Sequence, residues 1–320
     1  MLALLRYCTG SPVLDMPFSL LFIGLALLLA TLSYYAVETP LRTQSARLKQ
    51  VLGYGLLAGT ALATGPSMGA ININQALSPA PLPIEYQRYA DPATICHGQI
   101  VDDCLKGDLN TDKEVRVLGD SHAAMLDHFF DQLGKEFRFK AGIITASSCV
   151  TIPGFDYQRI PECAQNPCQT QINQAQEHLP TAKVIFLAAS WDWPLVSTDF
   201  QDTLKNFLFT LIQAGARIHV MEQEPLLRKN PIRVLRLQSM GLAGSRINID
   251  LAYQQPNPNL RSLASHHAGI TNLNFEASVF FDFAPFADGN PLYMGEHHLN
   301  EGGAKPYANA ARGAFTKIIN

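Results

Sequence analysis

The segment from Glu114 to Leu133, EVRVLGDSHAAMLDHFFDQL, changes its hydrophobic period within a few residues. Val115 to Leu118 is a continuous apolar run of strand length. Met125, Leu126, Phe129, Phe130 and Leu133 then recur at helical spacing. Between the two stands Gly119-Asp120-Ser121-His122. A strand that gives way at once to a helix must turn tightly, and Gly119 supplies the backbone freedom for it. Ser121 is then exposed at the carboxyl end of a strand, beside the free N–H groups of a helix N-terminus, which stabilise an oxyanion. The plainer alternative is that Asp120 or Ser121 only caps the helix.

A serine hydroxyl is a weak nucleophile until a base takes its proton, and histidine suits that role at neutral pH. Near the C-terminus the chain reads Tyr293-Met294-Gly295-Glu296-His297-His298-Leu299-Asn300, followed by Gly302-Gly303-Ala304. A base so distant in sequence is ordinary, because such pairs are defined by geometry. Metal binding or a surface position is the competing reading of the two histidines. Between these elements strand candidates fall at Phe139–Ile144, Lys183–Ala189, Ile218–Met221 and Val279–Phe281. Helical stretches fall at about 167–178, 200–214 and 302–318. This alternation predicts an α/β fold with a parallel sheet covered on both faces. Ligands bind such sheets at the carboxyl ends of the strands, where Ser121 and the last histidines both fall.

The first seventy-odd residues differ in kind. From Met16 to Val37 no charge interrupts MPFSLLFIGLALLLATLSYYAV, and about 20 apolar residues cross a bilayer as a helix. A signal peptide would be shorter, with a basic start and a small-residue cleavage site; only Arg6 fits. A weaker apolar stretch, Val51–Ile71, is rich in Gly and Ala, which suit close packing of membrane helices. A small-residue linker is the alternative. The loop between them carries Arg42, Arg47 and Lys49, which places it in the cytoplasm and everything after about Asn72 outside. Residues 73–95 are proline-rich and read as an extended linker. The net charge of −3 gives no electrostatic footprint for nucleic acid.

Six cysteines fit export. Cys96–Cys104 is the first expected pair and Cys149–Cys163 the second, with Cys168 in place of Cys163 as the alternative. Cys8, at a membrane end, is expected to be free. No Cys-x-x-Cys or His-x-His pattern beside them suggests a metal.

The GDSH turn, the HHLN segment and the α/β order resemble the SGNH hydrolase superfamily. More narrowly, the chain is similar to the C-terminal part of membrane acyltransferase-3 proteins with a fused SGNH domain, which O-acetylate bacterial surface polysaccharides. Leu32–Arg42 (LSYYAVETPLR), Ala146–Phe155 (ASSCVTIPGF) and Val184–Trp193 (VIFLAASWDW) carry the rest of the likeness. The resemblance implies an SGNH-like three-layer fold preceded by two transmembrane helices. Residues 1–72 would be a remnant of the membrane domain plus its final helix, 73–95 a periplasmic linker, and 96–320 the acyl-transfer domain. Ser121 would be the nucleophile and His298 the base, with His297 as its neighbouring alternative.

Two departures stand out. The family usually places Asp three residues before the catalytic His, but here that position is Gly295. Glu296 or Asp288 is left to orient His298, or the site runs as a dyad. The block that supplies an oxyanion-hole Asn reads Ala189-Ser190-Trp191-Asp192. Gly119, Asp120, Ser190 and Trp191 are therefore the oxyanion and substrate candidates, Trp191 as a pocket wall or, equally, as core. No cofactor is expected to stay bound, and acetyl-CoA is the implied ultimate donor. The implied partners are an envelope polysaccharide or lipopolysaccharide acceptor, membrane lipid, and a separately encoded acyltransferase-3 membrane subunit. The implied location is the inner membrane, with the C-terminal domain in the periplasm. A carbohydrate O-acetyl esterase and a non-catalytic truncated product are the competing functions.

Overall fold

The computed structural model describes residues 16–39, 82–239, 247–275, 278–282 and 284–319. The chain divides into two compact units: Met1–Pro81 with Arg233–Arg246, and Leu82–Ile232 with Ile247–Asn320.

In the first unit α1 (Met16–Ser33) runs into a π-helical turn at Tyr34–Glu38. Leu20, Leu21, Leu27 and Leu28 are exposed along it. Eighteen residues rise about 27 Å, a little short of the ~30 Å hydrocarbon layer. Among the described residues no helix is long and apolar enough to cross a membrane. The expected second span, Val51–Ile71, the basic loop before it and Cys8 lie outside the described residues.

The second unit opens with chain that is packed rather than extended. Ala90 and Ile95 are buried against Ala124, and Arg88 pairs with Glu301 at 2.7 Å. The expected linker character therefore does not extend through Leu82–Thr94. Six strands form the sheet: β1 (Leu105–Gly107), β2 (Glu114–Gly119), β3 (Lys140–Thr145), β4 (Val184–Ala188), β5 (Arg217–Met221) and β6 (Ile270–Leu273). Their order is β1-β3-β2-β4-β5-β6, with β1 antiparallel at the edge and all the others parallel. In chain order the helices after α1 are α2 (Ser121–Ala124), α3 (Asp127–Phe137), α4 (Glu162–His178), α5 (Thr198–Gln213), α6 (Pro231–Ser239), which falls mostly in the first unit, α7 (Asn257–Ser265), α8 (Val279–Asp282) and α9 (Glu301–Ile319).

Side chains alternate across each strand, so a continuous apolar run must be covered on both faces. Val115, Val117 and Phe186 point to one face, where Phe129 and Phe130 of α3 and Tyr307 and Phe315 of α9 meet them. Leu118, Ile144, Ile185 and Leu187 point to the other, against Ile172, Phe200, Leu208 and Leu260 of α4, α5 and α7. Each large apolar side chain removed from water in this way stabilises by about 1.5–3 kcal/mol.

The strand expected at Val279–Phe281 is instead the one-turn helix α8, and Ile270–Leu273 forms the last parallel strand. Three apolar residues carry no periodicity that separates a strand from a helix. The second disulfide also differs from the first expectation. Cys96 pairs with Cys104, but Cys149 pairs with Cys168 and Cys163 is free and exposed. Cys163 and Cys168 share α4. Five residues turn about 140° around a helix, so when Cys168 is buried against the loop after β3, Cys163 faces water.

Candidate active site

Because β2, β3 and β4 are parallel, the loops after Gly119, Thr145 and Ala188 gather at one end of the sheet. Ser121 opens α2 there. Gly119 has φ +152°, and a Cβ at that position would lie 1.7 Å from Ala188 O. Only glycine lets the turn close against β4. Its N–H donates to Thr151 Oγ1 at 3.0 Å, whose hydroxyl donates to Ile144 O at 2.7 Å. The turn is thereby tied to β3 as well.

Ser121 Oγ and His298 Nε2 are 2.8 Å apart. His298 sits on a short loop pinned on several sides. Tyr293 and Leu299 form an antiparallel bridge, and Met294 N–H donates to His298 O at 3.0 Å. Leu299 N–H donates to Met125 Sδ at 3.2 Å. Asn300 caps α9 by accepting from Gly303 N–H at 2.7 Å and donates to Pro291 O at 2.7 Å. His297, the neighbouring alternative, is exposed. Burial, with the nearby His122, His297 and His97, holds the pKa of His298 at about 3. The resting imidazole is therefore neutral and able to accept the serine proton.

No carboxylate among the described residues hydrogen-bonds His298. Glu296 contributes its backbone carbonyl to Leu227 N–H at 2.8 Å, and its side chain has no partner among the described residues. Asp288 is exposed in a turn. Two aromatic rings lean on His298 instead: Tyr89 stacks at 5.1 Å and 23°, and His122 lies at 5.0 Å and 47°. Behind His122 is the buried Glu224, whose Oε2 lies 3.6 Å from His122 Nδ1, an ion pair longer than a hydrogen bond. Burial works against charge on His122, but Glu224 and Asp120 outweigh it and raise its pKa.

The remaining candidates fall in different places. Asp120 is buried and has both oxygens occupied, Oδ1 by His122 N–H at 2.8 Å and Oδ2 by Ser190 N–H at 3.0 Å. It caps α2 and clamps the loop after β4 to the turn. As a carboxylate it has no proton to offer an oxyanion, and burial raises its pKa. Ser190 Oγ donates to Asp192 Oδ1 at 2.7 Å. Trp191 is not a pocket wall: it is fully buried, and its Nε1–H donates to Met221 O at 2.8 Å. The backbone N–H of Ser121 stands at the start of α2, where a helix N-terminus can stabilise an anion. Tyr89, His97 and Glu224 were not singled out from sequence. His97 bonds Thr145 Oγ1 and Ser147 Oγ at 3.0 Å each, and burial lowers its pKa to about 4. No local pattern marks these three; only His122, inside GDSH, was within sight of a motif. Among the described residues no group of three His, Cys, Asp or Glu could hold a metal ion.

This serine–histidine contact, at the carboxyl end of a parallel strand, coincides with a family match over residues 88–312 to the SGNH domain fused to AT3 domains. The chain belongs to that family. Its members' fold serves acyl transfer or acyl hydrolysis, so the chain is an acyl-transferring or hydrolytic enzyme, and its two disulfides belong to an oxidising, extracytoplasmic compartment. Comparison with curated proteins gives no match. Among solved structures it is similar to the lipopolysaccharide acetyltransferase periplasmic domain of Salmonella ser. Paratyphi A, at 17% identity over 71% of this chain and 92% of that one, with a TM-score of 0.44. A member of the lipolytic protein G-D-S-L family from Veillonella parvula DSM 2008 is 17% identical over 64% and 98%, with a TM-score of 0.39.

Proposed function

We propose that the chain transfers an acetyl group to a hydroxyl of an envelope polysaccharide or lipopolysaccharide through an acyl-enzyme on Ser121. The 2.8 Å contact between His298 Nε2 and Ser121 Oγ carries this reading. In the first half-reaction Ser121 Oγ attacks the acyl carbonyl while His298 takes its proton. The bond to the leaving group breaks and that group leaves with the proton. In the second, a saccharide hydroxyl gives its proton to His298, attacks the ester and returns Ser121 to its free form. Water in place of the saccharide makes the same site an esterase. The acetyl group is drawn ultimately from acetyl-CoA and handed over by an acyltransferase-3 membrane domain in the inner membrane. Apolar, exposed α1 supports attachment there, with the catalytic unit in the periplasm.

The test is p-nitrophenyl acetate turnover with intact-protein mass spectrometry. Wild type releases p-nitrophenol and gains the mass of one acetyl group, whereas Ser121→Ala does neither. Equal rates in the two proteins would overturn the assignment.

A further inference from the structure

The cleft between the loop after β3 and the loop after β4 has no part in the acyl chemistry just described. It is a cavity of about 210 Å³ lined by Phe155, Asp156, Arg159, Trp193, Asp199 and Thr203, among others. Its floor is aromatic: Phe155 meets Trp193 edge-on at 6.1 Å and Phe200 at 5.7 Å. Trp193 is only partly buried, unlike Trp191 two residues before it. Around this floor stand charged groups with free hydrogen-bonding capacity. The Arg159 and Asp199 side chains are exposed and have no partner among the described residues. Asp156 spends one oxygen on Gln158 N–H at 3.3 Å.

An apolar ring surface edged by donors and acceptors matches one ligand chemistry well. A sugar ring presents a C–H face that lies on an indole, with hydroxyls around its rim that both donate and accept. A lipid chain would leave Arg159 and Asp199 unanswered. A phosphate would meet two carboxylates.

The cleft is also in the right place. Phe155 and Arg159 follow the carboxyl end of β3, and Trp193 follows that of β4, the same end at which Ser121 follows β2. Ser190 N–H is bonded to the Asp120 carboxylate, next to the nucleophile. Trp193 is three residues further on, so its Cα is at most about 11 Å from that of Ser190. The intervening chain is fixed by Asp192 N–H on Gln223 Oε1 at 3.2 Å.

We propose that this cleft is a saccharide subsite that holds a sugar ring of the acceptor next to the one being acylated, with Trp193 as its stacking platform. The inference rests on the acyl-transfer reading and supplies its specificity.

Two substrates separate the two ideas in the full chain: p-nitrophenyl acetate, which has no sugar, and acetylated xylo-oligosaccharides. The readout is the ratio of kcat/KM for the saccharide ester to that for p-nitrophenyl acetate. Trp193→Ala and Arg159→Gln lower this ratio about tenfold, a loss typical of one interface anchor. Trp193→Phe, which keeps a ring, stays near wild type. A second readout is tryptophan fluorescence during titration with the deacetylated oligosaccharides. It reports on Trp193, because the only other tryptophan, Trp191, is fully buried. An unchanged ratio in all three variants together with a flat titration overturns the subsite. A parallel fall for both substrates overturns it too, since that is the mark of a structural role. Inactivity of the wild type towards both esters would instead sink the acyl-transfer reading beneath it.

Discussion

Placing an aspartate at position 295, where the family resemblance leads one to expect it, tests whether the site is limited by the lack of a carboxylate beside His298. The position accepts a side chain: a Cβ at Gly295 meets only Asn230 Nδ2, at 3.8 Å, and its φ is not in the left-handed region. It lies three residues before His298, on a loop held by the Met294 N–H bond to His298 O. The magnitude follows from the base. His298 is held at about 3 against an ordinary value of 6.5, and at 1.36 kcal/mol per unit this disfavours the imidazolium by about 5 kcal/mol. Removing the orienting carboxylate of a serine triad costs about 10⁴-fold in kcat, a barrier of similar size. Gly295→Asp is therefore expected to raise kcat/KM for p-nitrophenyl acetate by about 10²- to 10⁴-fold. A nearby carboxylate favours the charged imidazole, so the acid limb of the pH–rate profile should move up by at least about one unit. A Gly295→Asp protein with wild-type thermal stability, an unchanged rate and an unmoved acid limb would refute the reasoning.

Three further outcomes are expected. The Cys149–Cys168 disulfide spans 19 residues, so Cys168→Ser should cost about 3 kcal/mol in urea unfolding. Cys163→Ser should change stability by less than about 0.5 kcal/mol, and an equal cost for the two would count against the observed pairing. Gly119→Ala must displace Ala188 O from 1.7 Å. Strain and overpacking each cost about 1–3 kcal/mol, so both Tm and p-nitrophenyl acetate turnover should fall; a protein with wild-type Tm would contradict the packing described. His219 is buried beside Phe186 with neither ring nitrogen bonded, and burial lowers its pKa to about 4. A depressed histidine leaves stability intact above its unfolded value of 6.5 and withdraws it as pH falls towards 4. The full amount is about 3.4 kcal/mol, of which about 2 is lost by pH 5. His219→Phe should gain stability over wild type as pH drops from 7.5 to 5, and a pH-independent difference between the two would count against this.

Where the sequence spoke clearly, one physical cause acted locally. The change of period across Gly119 marks a strand turning into a helix because strand and helix impose different repeats on the same apolar residues. The parallel strands are legible because burial on both faces leaves β4, VIFLA, no polar position. The misreadings needed information that no single segment holds. Cys163 and Cys168 both suit a partner at Cys149, and only the phase of α4 chooses between them. Trp191 and Trp193 stand two residues apart in one loop, and the turn after β4 sends one into the core and the other to the cleft. The groups around His298 come from Tyr89, His122 and Glu224, three separate stretches, and the last of these lies in a run of buried polar residues at 222–224 with no period to betray it. Such a run is costly to bury, and that cost is itself a signal. Glu222 is met by Arg261, Asn272 and Asn274, a closed structural set. Among the described residues Glu224 is met only by His122, with Oε1 unbonded. Of these two buried carboxylates, the one left short of partners is therefore the one that stands behind His122. Glu224 stands behind His122, whose ring in turn lies against that of His298, so the three groups meet at the site although no one segment of sequence joins them.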